Sequence, residues 1–229
     1  MCMAKAATCF GSPARMAEAC PEMGFGAVAA IRDVQSPIAA ARAVMERTPH
    51  VLLVGDGATA FAHESGLAAI GRDPGWFRLP AGVTPEDVMP AGDTLGHGTV
   101  GAVALDREGR LAAATSTGGV FGKRPGRIGD SPRPGAGTWA DDLVAISCTG
   151  VGEAFIRAGG AADIAGRVRY GGAALAPAAD AMLAQVAALG GNGGLIAIGP
   201  DGVPVFAWNS RGLKRASAGS HLKMKVAIS

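Results

Sequence analysis

A glycine- and proline-rich stretch at residues 71–98 divides this chain of 229 residues into two parts. The stretch has little apolar content and no periodicity, so it predicts a long exposed linker that is disordered rather than helical or extended. It ends abruptly, because the alternation typical of a β-strand begins at Thr99. Any fold of this chain must therefore place a long connection directly before a strand.

The part before the linker predicts two helices and one strand. Ser36 followed by proline is typical of a helix N-terminus and predicts a helix over 37–48. A short buried strand over 50–54 follows, closed by a glycine turn, and a second helix is predicted over 58–70. Residues 1–25 show no clear periodicity and predict no strand.

The part after the linker predicts paired strands with helices between them. In order, the predicted elements are a hairpin over 99–116, a strand over 143–149, helices over 152–165 and 176–189, and a hairpin over 194–208. Strands joined by tight turns pair antiparallel. The pattern therefore favours an α+β protein whose antiparallel sheets are covered by helices.

The charge balance argues against a nucleic-acid partner. The chain has 21 basic and 19 acidic residues, for a net charge of +2, and no basic stripe with interleaved aromatics. The densest cationic run comprises Lys123, Arg124, Arg127 and Arg133, and such a run is typical of a solvated loop.

Cysteine usage and hydropathy predict neither a metal site nor a membrane segment. The four cysteines (Cys2, Cys9, Cys20 and Cys148) lack CxxC spacing and an accompanying histidine pair. No run of 18 apolar residues occurs, so no membrane span is expected. The glycine strings lack the strand–turn–helix context of a nucleotide site, so no cofactor is expected. A reducing, cytoplasmic location is the default prediction.

The junction at Thr99 suggests a specific chemistry. A threonine hydroxyl is a poor nucleophile without a neighbouring base. At a chain terminus its own α-amine, with a pKa of ~7.7–8, can be that base. Gly98 tolerates the strained backbone that brings the Thr99 hydroxyl onto the preceding carbonyl, so that an acyl shift and hydrolysis would free the amine. On spacing alone, a threonine that begins an ordinary strand remains the alternative.

Four segments resemble, in order, those of the plant-type asparaginase/isoaspartyl peptidase family of N-terminal-nucleophile hydrolases. They are HGTVGAVA with Asp106 (from residue 97), TSTGG (115–119), PGRIGDSP (125–132) and SCTG (147–150). Residues 37–60 and 192–198 also resemble the family. The similarity spans roughly residues 26–229, and residues 1–25 match nothing in it.

The resemblance implies a catalytic set. Cleavage between Gly98 and Thr99 would make Thr99 the N-terminal nucleophile, with its own amine as the base. Thr117 matches the threonine whose hydroxyl orients the nucleophile. The Thr149 hydroxyl and the Gly150 N–H match an oxyanion hole, in which fixed donors stabilise the developing charge.

The resemblance also implies a substrate clamp. Arg127 is expected to bind the α-carboxylate of the substrate bidentately, and Asp130 its α-ammonium. Gly150 and Gly152 are expected to line the same pocket, Gly152 through its backbone. The alternative for Arg127 and Asp130 is a plain loop salt bridge. His97 is interpreted as a structural linker residue and Cys148 as a packing residue.

The family fold is a four-layer αββα sandwich, which implies an α part at 1–98 and a β part at 99–229. The implied activity is hydrolysis of β-aspartyl dipeptides and L-asparagine by a homodimer of αβ pairs. A glycosylasparaginase-like activity is a lesser alternative, since that branch favours an aspartate where Gly98 stands. The family carries a longer N-terminal segment with a core strand, so the other alternative is an inactive remnant, or a partner of a full-length paralogue, with an incomplete sheet.

Overall fold

The computed structural model describes residues 5–11, 24–71, 98–120 and 123–228. Its strands are β1 (Lys5–Gly11), β2 (Gly24–Ile31), β3 (Leu52–Val54), β4 (Thr99–Leu105), β5 (Leu111–Thr117), β6 (Thr138–Ala140), β7 (Ala145–Gly150), β8 (Gly193–Ile198), β9 (Pro204–Trp208), β10 (Arg215–Gly219) and β11 (Leu222–Ala227). Its helices are α1 (Pro37–Arg47), α2 (Gly55–Glu64), α3 (Gly152–Ala158), α4 (Gly160–Gly171) and α5 (Leu175–Ala188). Apart from its ends, the predicted linker lies outside the described residues.

The first sheet has five strands in the order β3-β2-β1-β5-β4. β1 pairs antiparallel with both β2 and β5, and Thr8 lies opposite Ala27 on one side and Thr115 on the other. The prediction that residues 1–25 form no strand is therefore wrong. β1 lies at the centre of the sheet, which was expected to lack a core strand. Two flanking ladders select this extended conformation, which the short segment KAATCFG does not signal by its own alternation.

Two helices cover the β1–β3 side of this sheet. α1 begins as predicted, because the Ser36 hydroxyl accepts a hydrogen bond from the Ala39 N–H at 3.4 Å. It crosses β2 closely, since a Cβ on Gly26 would lie 2.1 Å from the Ala41 carbonyl oxygen. α2 begins at Gly55 and ends at Glu64, so the predicted bounds of 58–70 are wrong at both ends. The glycines read as a turn form its first turn instead.

The second sheet has the strand order β6-β7-β8-β9, and all its pairs are antiparallel. Helices α3 to α5 pack on it around a core that includes Ile146, Phe155 and Met182. The single helix predicted over 152–165 is wrong: Gly159 adopts a left-handed conformation (φ +64°) and separates α3 from α4. The closing hairpin predicted over 194–208 is confirmed as β8 and β9.

The two sheets pack against each other through β4, β5 and β7. Leu111 and Ala113 of β5 share a buried cluster with Ala140 and Ala145 of the second sheet. Helices and mainly antiparallel strands together confirm the predicted α+β class. β6 and the β10–β11 hairpin were not predicted. In the part of the chain that is described, no helix is both long and apolar enough to traverse a bilayer.

Candidate active site

Thr99 and Thr117 face each other across the β4–β5 pair. They are register partners, and the Thr99 Oγ1 hydroxyl donates a hydrogen bond to Thr117 Oγ1 at 3.1 Å. The backbone N–H of Gly119 donates to the same Thr117 oxygen at 2.9 Å. The Thr99 hydroxyl is thereby held at the first residue of β4. Gly98, which precedes it, is exposed, and no described residue lies within 4 Å of the place where its side chain would stand.

The last two residues of β7 are Thr149 and Gly150. They pair with Gly194 and Gly193 of β8. Gly150 has a φ of +150°, and a Cβ there would lie 2.4 Å from the Asn192 carbonyl oxygen. Only glycine fits this position, and the strand end delivers both residues to the edge of the sheet.

β5 and β7 bring their ends to the same edge of the molecule. Ala113 of β5 and Ala145 of β7 belong to one buried cluster. Farther along the same two strands, Thr115 Oγ1 lies 2.7 Å from Ser147 Oγ. Side chains alternate along a strand with a period of two. The next residues on these facing surfaces are therefore Thr117 on β5 and Thr149 on β7.

Arg127 is fixed by an acidic residue that the sequence analysis missed. Its Nε donates to Glu153 Oε1 and its Nη2 to Glu153 Oε2, both at 2.8 Å. The Arg127 side chain is 17% exposed and that of Glu153 59%. Glu153 occupies the Nε edge of the guanidinium, so the Nη1 edge points elsewhere. The sequence feature that could have identified Glu153 is its position as an acidic residue in the first turn of a helix.

Asp130 is buried, with 6% exposure. Its Oδ2 atom has no hydrogen-bond partner among the described residues. Burial raises the pKa of this carboxyl to about 6, while hydrogen bonds from backbone N–H groups and the Arg127 charge act in the opposite direction. A buried carboxylate oxygen without a partner is costly. Oδ2 faces Gly137, whereas Oδ1 faces Gly152 and is the oxygen that a positively charged ligand could meet.

Gly152 joins Arg127 and Asp130 in one pocket. A Cβ on Gly152 would lie 2.9 Å from Asp130 Oδ1 and 3.0 Å from Arg127 Nη2. The predicted clamp residues are thus brought together around a position that only a glycine leaves open. A guanidinium beside an unsatisfied carboxylate can bind a zwitterion, since each charge meets its opposite.

The cationic run that was interpreted as a solvated loop is divided in the structure. Arg124 and Arg133 are exposed, but Lys123 is half-buried. Lys123 Nζ donates to the Gly118 carbonyl at 2.7 Å. Burial, and secondarily the Arg127 charge, lowers the pKa of Lys123. The interpretation as a solvated loop is therefore wrong for Lys123, which lies between the turn after β5 and the clamp.

Two further residues were singled out from the sequence. Cys148 is buried in the core of the second sheet, as its interpretation as a packing residue predicted, and burial raises the pKa of its thiol. His97 lies outside the described residues.

The fold and site together describe an α+β protein with paired threonine hydroxyls on β4 and β5. Its charged clamp lies in the loop between β5 and β6. Residues 19–228 match the family model described as asparaginase, and the chain belongs to that family. The resemblance found in the sequence is confirmed, and it begins earlier than residue 26.

Three relatives illustrate the similarity. The chain is 48% identical over 204 residues to an isoaspartyl peptidase of Salmonella typhimurium, covering 83% of this chain and 65% of that protein. It is 45% identical over 204 residues to an isoaspartyl peptidase of Escherichia coli, covering 83% and 64%. It is 47% identical over 144 residues to a plant-type L-asparaginase of Pyrobaculum calidifontis, covering 57% and 46%. The chain spans slightly less than two thirds of the length of the two bacterial peptidases.

Proposed function

We propose that this protein cleaves its own chain between Gly98 and Thr99 and then hydrolyses β-aspartyl dipeptides and L-asparagine. The observation that carries the proposal is the 3.1 Å hydrogen bond between the Thr99 and Thr117 hydroxyls at the first residue of β4. The names of the relatives, isoaspartyl peptidase and plant-type L-asparaginase, support the substrate class.

Self-cleavage begins with attack of the Thr99 hydroxyl oxygen on the Gly98 carbonyl carbon. The peptide C–N bond breaks as the C–O bond forms, and the hydroxyl proton passes to the departing nitrogen. Water then hydrolyses the ester, which leaves a carboxylate on Gly98 and a free amine on Thr99. Gly98 is exposed, which gives the water access.

In turnover, the new α-amine takes the proton of the Thr99 hydroxyl, and the oxygen attacks the side-chain carbonyl of the substrate. The Thr149 hydroxyl and the Gly150 N–H stabilise the oxyanion; a donor of this kind is typically worth ~2.7–4 kcal/mol. The protonated amine returns its proton to the leaving ammonia or amino group. Water then releases aspartate from the β-aspartyl ester on Thr99.

The clamp supplies the selectivity for aspartyl substrates. Asp130 receives the α-ammonium on Oδ1, the carboxylate oxygen that faces Gly152, whereas Oδ2 faces Gly137. Arg127 receives the α-carboxylate on the guanidinium edge that Glu153 leaves open. Gly152 leaves the space between them for the substrate backbone.

The proposal includes the architecture and assembly of the family. The helices on the outer faces of two mutually packed sheets support a four-layer αββα sandwich. The α part would comprise residues 1–98 and the β part residues 99–229, and two αβ pairs would form a homodimer. The cytoplasmic location stays a prediction from cysteine usage.

The test is the intact mass of the purified protein after incubation at neutral pH. We expect two chains that meet at the Gly98–Thr99 bond, and release of aspartate from β-aspartyl-leucine and from L-asparagine. Thr99→Ala should remain one chain without activity. Thr59→Ala, which removes a hydroxyl from α2, is the matched control and should behave like the wild type. An uncut, inactive wild type would overturn the proposal and favour the inactive remnant.

A further inference from the structure

Three hydroxyl side chains are buried between the two sheets. Thr115 and Thr138 are fully buried, and Ser147 is 4% exposed. Thr138 Oγ1 donates to Thr115 Oγ1 at 2.5 Å, and Thr115 Oγ1 lies 2.7 Å from Ser147 Oγ. These three residues, which we term the hydroxyl bridge, connect β5 of the first sheet with β6 and β7 of the second.

The hydroxyl bridge is a directional contact in an otherwise apolar interface. Its neighbours on the facing surfaces are mainly alanine and leucine. Apolar packing is non-directional and tolerates small shifts between sheets. Hydrogen bonds at 2.5 and 2.7 Å allow much less variation in distance and angle. The hydroxyls therefore define the spacing of β5 and β7 more sharply than the apolar contacts do.

Each member of the bridge stands next to one component of the candidate site. Thr115 lies two residues before Thr117, on the same face of β5. Ser147 lies two residues before Thr149, on the same face of β7. Thr138 approaches the Ser131 carbonyl at 3.5 Å, directly after the clamp carboxylate.

The nucleophile strand β4 also packs closely against the bridge. Gly101 is the register partner of Thr115, and a Cβ on Gly101 would lie 2.1 Å from Ser147 Oγ. Gly101 lies two residues after Thr99 on the same face of β4. The nucleophile and its orienting threonine are thus tied to the strand that carries the oxyanion donors.

We propose that Thr115, Thr138 and Ser147 are positioning residues that fix the distance between the threonine nucleophile and the oxyanion hole. They do not touch the substrate and act through Thr117 and Thr149. This inference rests on the proposed function, since it concerns the geometry of that reaction.

The decisive comparison is between Thr115→Val and Thr115→Ser. Valine keeps the branched shape and removes the hydroxyl, whereas serine keeps the hydroxyl. We expect Thr115→Val to lower kcat by about 10- to 100-fold, because a misplacement of about 1 Å is enough for such a loss. KM should change little, since the Arg127–Asp130 clamp remains in place. Thr115→Ser should recover most of kcat.

Ser147→Ala breaks the same bridge from the other side and serves if Thr115→Val fails to fold. Because both changes remove one shared hydrogen bond, the double variant should be about as slow as the slower single variant. Thr59→Val, which removes a hydrogen-bonded hydroxyl on α2, is the matched control and should keep the wild-type kcat. Thermal unfolding of each variant reports its folded state.

The possible outcomes separate this inference from the proposed function. An active wild type whose folded Thr115→Val and Ser147→Ala variants keep kcat would overturn the positioning role alone. A loss of kcat that Thr115→Ser does not restore, or losses that multiply in the double variant, would also overturn it. An inactive wild type would overturn the proposed function, and the positioning role with it.

Discussion

At the scale of single residues, the candidate site keeps one charge in an unfavourable state. Asp130 is buried beside Arg127, yet its Oδ2 atom has no partner among the described residues. In the proposed function, the ammonium group of the substrate offsets part of this cost. Functional sites commonly retain such destabilising groups.

Asp130→Asn is expected to stabilise the folded protein at neutral pH. Burial raises the folded-state pKa from 3.8 to about 6, so ionising this carboxyl costs more free energy in the folded protein than in the unfolded chain. The stability of the wild type therefore falls as pH rises from about 4 through 6. A shift of that size corresponds to about 3 kcal/mol at pH 7–8, and its effect vanishes below about pH 4, where both states are protonated. The measurement is chemical unfolding of both proteins between pH 4 and pH 8.

Asp141→Asn provides the control with the opposite sign. Burial alone would raise the pKa of Asp141, but hydrogen bonds from Trp139 and from the backbone N–H groups of Leu143 and Val144 lower it. The ionised Asp141 carboxylate therefore stabilises the folded protein above its ordinary pKa, and this stabilisation is lost as pH falls. Asp141→Asn should destabilise the protein at neutral pH. A neutral-pH gain for Asp141→Asn, or none for Asp130→Asn, would contradict this account of the two carboxyls.

Glu153→Gln should weaken substrate binding without affecting self-cleavage. The change removes the charge that orients Arg127, and KM for a β-aspartyl dipeptide should rise a few-fold, since an ion pair this exposed is worth ~0.2–1 kcal/mol. Because the Glu153 charge also raises the pKa of Asp130, the acid limb of the pH profile should move to lower pH. Steady-state kinetics across pH measures both effects.

Glu108→Gln, on the exposed β4–β5 turn, breaks a surface pair with Arg110 and is the matched control. It should leave KM and the pH profile unchanged. A fall in KM for Glu153→Gln would instead show that Glu153 competes with the substrate carboxylate.

At the scale of secondary-structure elements, close approach between strands depends on small side chains at specific positions. Gly101 lets β4 pack onto Ser147 of β7, and Gly26 lets α1 cross β2. Both glycines lie within strands, where glycine is usually unfavourable. These two glycines therefore leave room for a neighbouring element to approach; neither is needed for an unusual backbone conformation.

Gly101→Ala is expected to separate β4 from β7 and to slow self-cleavage. The added Cβ would lie 2.1 Å from Ser147 Oγ and 3.0 Å from Ser147 Cβ, in a buried network that cannot rotate away freely. Overpacking of this kind costs about 1–3 kcal/mol in unfolding free energy. Denaturant unfolding and the rate of chain cleavage measure the two effects.

Gly57→Ala, on α2, serves as the control, because no described residue lies within 4 Å of the new methyl group. It should be neutral or slightly stabilising, because alanine favours a helix over glycine by about 1 kcal/mol. Equal effects of the two substitutions would refute the steric explanation for Gly101.

At the scale of the whole molecule, the proposed cleavage site lies within the connectivity of one sheet. Strands β1–β3 precede Gly98, whereas β4 and β5 follow it, yet all five belong to the same sheet. β1 and β5 pair over five successive residue positions, Ala6 to Phe10 opposite Thr117 to Ala113. The two products of cleavage are therefore held together by backbone hydrogen bonds and by the core beneath them.

The cleaved protein should elute as one species under native conditions. The two chains should separate only in denaturant, because the β1–β5 ladder must first be broken. Size-exclusion chromatography with and without guanidinium, followed by mass measurement of each peak, checks this. The uncut Thr99→Ala protein should elute at the native position of the cleaved wild type. Two native peaks from cleaved protein would contradict the observed strand order.

The sequence by itself determined the elements whose signals are local. The β4–β5 hairpin, the Ser36 cap of α1 and the β8–β9 hairpin follow from turn chemistry, capping and side-chain alternation within a few residues. The motifs also indicated the site threonines and the Arg127–Asp130 clamp. Their role in catalysis stays a prediction.

Only the tertiary structure decided which distant residues share an environment. β1 is a strand because two ladders flank it, and Glu153 meets Arg127 because α3 begins beside the clamp. Thr115 and Ser147 form a bridge because two sheets face each other. None of these contacts has a local signal, since burial, pairing and the pKa of a carboxyl depend on what the rest of the chain brings next to it.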